Sequence, residues 1–429
     1  MIQKIYGYKE MDKLNKILNR SIMDSEKISL QVKNILGFIQ SDGDKALLEF
    51  THKFDKHNLQ DLRVREEEIE KAKINIDKEL KKAIENAIEN IRKYHERQKD
   101  TGFMMEEDDK IIGQIVNPIE RVGVYIPGGT ASYPSTVMMN VIPANIAGVK
   151  EIAMVTPADS QGNIKDSVLV TADLLGVKEI YKTGGAQAIG ALAYGTETIS
   201  RVDKIVGPGN IYVAMAKRHV SGLVGIDMIA GPSEVVIIAD AHANPKFIAA
   251  DLIAQAEHDE RAASIVVTDC EDLANEVWKE IELQVKSLKR SEIIEKSLNN
   301  YGAIIVMDNR EETFEIVNKL APEHLEIMTK SPLEDYKEVK NAGAIFLGEY
   351  SPEALGDYYA GPNHTLPTLR TSKFSSALGV YDFVKKTSLI YYSREALMKA
   401  GDDIVLIATD EALTGHANSI KVRMEEKNV

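Results

Sequence analysis

The amino-acid sequence predicts an α/β protein built on parallel sheets, and three observations carry the prediction. Short β-rich runs recur through the middle of the chain, most are separated by enough residues for one helix, and the stretch before them reads as helical. Strand and helix in alternation imply parallel strands buried on both faces.

Residues 1–107 are the expected helical segment. Within 65–98, Ile69, Ala72, Ile76, Leu80, Ala83, Ala87, Ile91 and Tyr94 recur at the three- and four-residue steps of one helix face. The charges between them read as a solvated face. After Gly113 the predicted strands are 122–126, 152–155, 179–182, 204–206, 234–239, 264–268, 303–307 and 344–347. Residues 164–175 illustrate the helices between them, with Val168, Ala172 and Leu175 on one side. These units fit either a (β/α)8 barrel or two open sheets; the longer helical interval 273–298 favours open sheets. Residues 351–371, rich in Gly, Pro, Tyr and Asn, read as a loop held in a defined shape. Helix returns from Ser393, which reads as its cap.

Hydrophobic residues make up 44% of the 429, enough for a full core. Lys and Arg total 52 against 66 Asp and Glu, a net charge of −14 that argues against a nucleic-acid partner or an anionic membrane surface. No run approaches the roughly eighteen apolar residues of a spanning helix, and the charged N-terminus lacks a signal peptide's apolar core. The single cysteine, Cys270, suits a reducing compartment. The expectation is a cytoplasmic protein.

Four of nine histidines (His258, His324, His364, His416) lie in polar, Gly- or Pro-punctuated contexts. The others, His52, His57, His95, His219 and His242, read as surface or satisfied core residues. Asn244-Pro245 starts a helix, as cap and first residue. Gln255 and His258 share a face near its end. They could bind a metal, although spacing alone favours a hydrogen-bonded polar pair. Asp357 and His364 on the Gly/Pro loop could complete a metal site, bind a polar substrate, or simply pin the loop. Glu323-His324, after Pro322, could serve neighbouring proton-transfer positions; a solvated dipeptide is the alternative. Glu411 and His416 converge only through the Gly415 break. Gly-rich turns follow three predicted strands, at Tyr125–Gly129 (YIPGG), Gly184-Gly185-Ala186-Gln187 and Gly207-Pro208-Gly209-Asn210, where open α/β sheets bind ligands. None matches G-x-G-x-x-G.

Taken in order, VGVYIPGG, TGGAQAIGALAYG, VGPGN, AGPSEVVIIAD, AQAEHD, APEHLEI, GDYYAGPNHTLPT, FSSALGVYDFVKK and LTGHA resemble the histidinol dehydrogenase family. The resemblance implies two Rossmann-like domains without the usual fingerprint, at 108–233 and 234–381. A mainly helical segment (1–107) would precede them, and a C-terminal helical segment (382–429) would be exchanged in a homodimer. It implies Zn²⁺ held by Gln255, His258, Asp357 and His416 of the second subunit. Glu323 and His324 become the catalytic pair. Ser233, His364 and Glu411 become substrate contacts beside the metal and catalytic residues, and Tyr125, Gln187 and Asn210 the NAD⁺ site. The implied reaction takes L-histidinol through the aldehyde to histidine with two NAD⁺. In it His324 moves protons and Glu323 activates water. Cys270, flanked by Asp269 and Glu271, which blunt a thiolate's reactivity, is not expected to act. Rival readings are a relative oxidising another alcohol, such as a sulfonated diol, and a non-catalytic zinc- or nucleotide-binding protein. His364 and Glu411 argue against the first, and the intact Glu323-His324 pair against the second.

Overall fold

The computed structural model describes residues 2–18, 25–55, 59, 61–128 and 132–425; His57 and Gly129 lie outside them. The described strands, in chain order, are β1 Gln3–Tyr6, β2 Phe103–Glu107, β3 Lys110–Pro118, β4 Arg121–Tyr125, β5 Glu151–Thr156, β6 Glu179–Lys182, β7 Lys204–Val206, β8 Gly225–Ile226, β9 Glu234–Ala239, β10 Ala263–Thr268, β11 Ala303–Val306, β12 His324–Met328, β13 Ala344–Leu347 and β14 Val384–Tyr392. The eight strands expected from sequence are all present, each bound within one residue of expectation.

The chain forms two compact units: residues 1–98 with 119–383, and residues 99–118 with 384–429. The first holds two open parallel sheets, so there is no barrel. One runs β6-β5-β4-β7-β8, the other β1-β11-β10-β9-β12-β13. In β9, Val235 and Ile237 pack into one core cluster while Val236 and Ile238 pack into another, so the strand is buried on both faces. Each sheet has a switch point. The chain steps outward from β4 through β5 to β6 and returns with β7 on the other side of β4. It repeats the move from β9 through β10 to β11, returning with β12 beside β9.

The structure departs from expectation where local signals were short or mixed. The first hundred residues are not all helix, because β1 adds parallel to β11, pairing Gln3 with Ala303. Its four residues carry too little alternation to read as a strand. The helical run 65–98 is two helices, Glu66–Asn75 and Lys78–His95, since the Asp77 side chain caps the second by accepting from Leu80 N at 2.9 Å. That break turns the buried stripe to Ile84, Ala87, Ile91 and His95 and leaves Leu80 and Tyr94 exposed. The interval 273–298 likewise holds two helices, Glu271–Val285 and Ser291–Tyr301. The loop at 351–371 contains a short helix, Glu353–Tyr358.

The second unit is an antiparallel sheet, β14-β3-β2, with helices Arg394–Asp410 and Thr414–Glu425. The C-terminal segment is therefore led by a strand, and β14 pairs along β3 from Val384 opposite Pro118 to Tyr392 opposite Lys110. Ser393 caps the following helix, accepting from Ala396 N at 3.1 Å. No helix among the described residues is long and apolar enough to cross a membrane.

Candidate active site

β9 and β12 lie side by side, so Glu234 at the start of one meets Glu323 and His324 at the start of the other. Glu234 N donates to Glu323 Oε2 at 2.9 Å, and Glu323 N donates to Glu234 Oε1 at 3.3 Å. His324 Nδ1 lies 3.1 Å from the Glu234 carbonyl oxygen. A carbonyl only accepts, so Nδ1 carries the proton and Nε2 presents its lone pair. Nε2 is buried and has no hydrogen-bond partner among the described residues. Burial first, then the nearby His258 and His364, push the His324 pKa down to about 3. The ring is thus a neutral imidazole with one nitrogen held and the other open. This site sits at the amino ends of its strands, opposite to the edge open α/β sheets ordinarily use.

Two helices complete the cluster. Asn244 caps Pro245–Ala256 by accepting from Lys246 N at 3.0 Å, and Gln255 and His258 lie at the far end of that helix. Glu353–Tyr358 places Glu353 and Asp357 one turn apart on one face. Donor atoms of His258, Glu353 and Asp357 lie within 4.8 Å of one another. His324 Nε2 is 3.9 Å from Asp357 Oδ1, and His324 Nδ1 is 3.7 Å from Glu353 Oε1. His364 Nδ1 contacts the Asp357 carbonyl oxygen at 3.1 Å, and its Nε2 lies 3.4 Å from Thr136 Oγ1. Burial pushes the His364 pKa down to about 4.

Asp357 and Glu353 face no Lys or Arg ion partner among the described residues. Burial pushes the Asp357 pKa up to about 7. Burial, with Asp357, Glu323, Glu326 and Asp251 around it, pushes Glu353 well above the carboxylate range. Their ion partners among the described residues are only His324 and His364, and Glu353 Oε2 is buried without a hydrogen bond. Imidazole and carboxylate donors converging without a cationic side chain fit a borderline divalent metal. The Gln255 amide sits beside them, its nitrogen toward Glu353 Oε1 at 3.0 Å and its oxygen accepting from Glu234 N at 2.8 Å. A half-turn of that amide exchanges the two and puts oxygen where the nitrogen now lies.

Sequence reasoning missed Glu353 and Glu234. The signal for Glu353 was its four-residue spacing from Asp357, hidden by reading 351–371 as loop. Glu234 was read only as the edge of an apolar strand. Ser233 immediately precedes it, its carbonyl accepting from Ala263 N at 3.0 Å. Glu411 and His416 are exposed residues of the second unit.

The Gly-rich turns gather at the carboxyl ends of the other sheet. Tyr125 ends β4; its hydroxyl accepts from Gly185 N at 3.1 Å, and burial pushes its pKa up to about 12. Gln187, 1% exposed, has an amide nitrogen without a hydrogen-bond partner. The Asn210 side chain caps helix Ile211–Val220, accepting from Tyr212 N at 3.0 Å and Val213 N at 3.2 Å. Gly207 has φ +114°, and a Cβ there would stand 2.1 Å from the Tyr125 carbonyl oxygen. The backbone of this turn thus lies closely against β4 at the switch point, an arrangement that suits a dinucleotide. Of the remaining histidines, His95 is a satisfied core residue, Nδ1 on the Ile91 carbonyl at 2.9 Å and Nε2 3.4 Å from Asn363 Nδ2. His52 and His242 are exposed, and His219 lies 2.9 Å from Ser29 Oγ.

Fold and site define a class: an α/β enzyme with a buried carboxylate–imidazole centre on one parallel sheet and a glycine-lined switch point on another. A family model for histidinol dehydrogenase matches residues 18–424, and the chain belongs to the histidinol dehydrogenase family, oxidoreductases of histidine biosynthesis. It is 54% identical over 99% of both chains to histidinol dehydrogenase of Caldanaerobacter subterraneus. It is also 54% identical to that of Clostridium acetobutylicum, over 94% of each chain. The crystal structure of histidinol dehydrogenase from Elizabethkingia anophelis superposes with TM-score 0.94 at 39% identity, covering 99% of this chain and 98% of that one.

Proposed function

We propose that the protein oxidises L-histidinol through L-histidinal to L-histidine with two NAD⁺. The observation that carries this is His324 Nε2, a buried unprotonated nitrogen facing the His258–Glu353–Asp357 cluster, with Glu323 next in sequence. Zn²⁺ held by Gln255, His258, Asp357 and His416 of a second copy would anchor the amine and imidazole of the substrate, and NAD⁺ at Tyr125, Gln187 and Asn210 would accept hydride twice. Gln255 would turn its amide to present oxygen. Ser233, His364 and Glu411, the last also from the second copy, would fix the substrate's polar ends. His324 Nε2 takes the alcohol proton as the first hydride departs. The Glu323 carboxylate takes a proton from the water that adds to the aldehyde, while His324 Nε2 returns its proton to the former carbonyl oxygen and is free again. His324 Nε2 takes a second hydroxyl proton as the hydrated aldehyde is oxidised.

The homodimer is supported by the second unit, where Phe103, Met104, Met105, Ile390, Leu406 and Ile407 are exposed. Such apolar residues suit an interface with another copy. Mixing His416→Ala with His258→Ala chains should restore about a quarter of the sites by random pairing, if each site draws on both chains. No recovery would place the site within one chain.

The deciding assay follows NADH release from histidinol and a panel of other alcohols. Two NADH per histidinol, lost on chelation and restored by Zn²⁺ but not Mg²⁺, is the expected result. Full turnover of metal-free protein would refute the metal assignment, and a better alcohol in the panel the substrate.

A further inference from the structure

Asp55 is the last residue of the long helix Ser25–Asp55, which packs against the helices Gly185–Tyr194 and Ile211–Val220. One turn earlier, Thr51 is buried with its Oγ1 3.2 Å from Thr183 Oγ1. Thr183 follows β6 and leads into the turn that begins helix Gly185–Tyr194. Residues four apart on a helix share a face, so Asp55 follows Thr51 on the side that meets the Thr183 turn, the turn whose Gly185 N–H donates to the Tyr125 hydroxyl. The charge of Asp55 bears on the Tyr125 phenol.

Asp55 Oδ2 is sealed from solvent and makes no hydrogen bond among the described residues, and the Gln187 amide nitrogen, on the helix that follows the Thr183 turn, is likewise buried and unpartnered. Burial raises the Asp55 pKa to about 6. A buried carboxylate oxygen without a donor is destabilising, and ligand hydroxyls are the donors that remove the deficit. A ribose diol offers two at the spacing of one carboxylate, and an acidic side chain in this role rejects a 2′-phosphate through like charge.

We propose that Asp55 receives the 2′- and 3′-hydroxyls of the cofactor's adenosine ribose and thereby sets preference for NAD over NADP. The proposal deepens the reading of Tyr125, Gln187 and Asn210 as the dinucleotide site and rests on it. Asp55→Asn keeps the shape and removes the charge. NADH and NADPH binding are titrated by their fluorescence with the wild type and the variant, and thermal unfolding is recorded without cofactor.

The wild type should bind NADH and discriminate against NADPH. Asp55→Asn should weaken NADH roughly tenfold to a hundredfold and narrow the NADH-to-NADPH ratio by a similar factor. It should unfold at the same temperature as the wild type or higher. Unchanged NADH affinity and ratio would overturn the role of Asp55. A fall in unfolding temperature would show a structural partner for the carboxylate and overturn it equally. A wild type that binds neither dinucleotide would instead refute the underlying cofactor site.

Discussion

The sharpest structural test lies beneath the Gly207 turn. Lys217, from the helix Ile211–Val220, forms an ion pair with Asp227, their side chains 3% and 1% exposed. Lys217 Nζ also donates to the Gly207 carbonyl at 3.0 Å, while Asp227 Oδ2 accepts from Gly207 N at 2.8 Å. The pair therefore grips both polar atoms of the one residue whose left-handed backbone sets the turn. Lys217→Met removes the cation, leaves the carboxylate buried with its backbone donors, and strands the Gly207 carbonyl. Breaking a buried pair from one side costs about 3–5 kcal/mol. The N–H groups of Gly207 and Met228, the latter donating to Asp227 Oδ1 at 2.6 Å, remain on the carboxylate and place the expected loss near the lower end, about 3 kcal/mol. Adding Asp227→Asn removes the unpaired charge while keeping an acceptor for Gly207 N, so the double variant should recover more than half of that loss. Guanidinium unfolding of wild type, both singles and the double gives the cycle, and NADH titration reads the turn directly. A Lys217→Met loss under about 1 kcal/mol, or a double variant no better than the single, would refute the reasoning.

Other perturbations separate the remaining roles. Glu323→Gln should slow oxidation of the aldehyde far more than oxidation of the alcohol; equal losses in the two half-reactions would remove the water-activating role. Cys270→Ser should keep most activity. Cys270 follows the carboxyl end of β10, whereas Ala263 at the other end pairs with Glu234, which separates the thiol from the carboxylate–imidazole cluster by about 17 Å of strand. A folded but inactive variant would instead revive a thiol route. Burial holds the His95 pKa below its ordinary 6.5, so below that pH the unfolded chain takes up a proton that the folded one refuses. Stability should therefore fall as pH drops below 6.5, and His95→Leu should flatten that slope while losing about 1–3 kcal/mol at pH 8. An unchanged slope in pH-dependent unfolding would place its origin elsewhere.

What the sequence made legible follows from the purity of each local signal. β9 and β10 are buried along their whole length and β5 over its last four residues, and each has an apolar centre of three to five residues, so their bounds could be read within a residue. β12 carries the same buried pattern, but His324 and Glu326 interrupt it, so it did not read as an apolar strand. Glu353 was obscured for a related reason: Gly356 and the surrounding prolines look like loop, while only the helical turn brings Glu353 over Asp357. The antiparallel sheet of the second unit was hidden differently. Its partners are distant in the chain, and β2, with every residue exposed, shows no one-sided apolar alternation. Gln255 and His258 were visible as a pair, yet nothing in their spacing revealed that Glu234 N lies against the Gln255 amide.

The pairing of β3 with β14 also imposes a timetable on biosynthesis. The first of these strands leaves the ribosome long before the second, and residues 119–383 must emerge between them. Until then the nascent polypeptide displays an unsatisfied β-edge, a target for promiscuous association. Removing the chain beyond residue 383 would make that temporary exposure permanent, so a shortened product should be recognised by chaperones and precipitate even with both parallel sheets already formed.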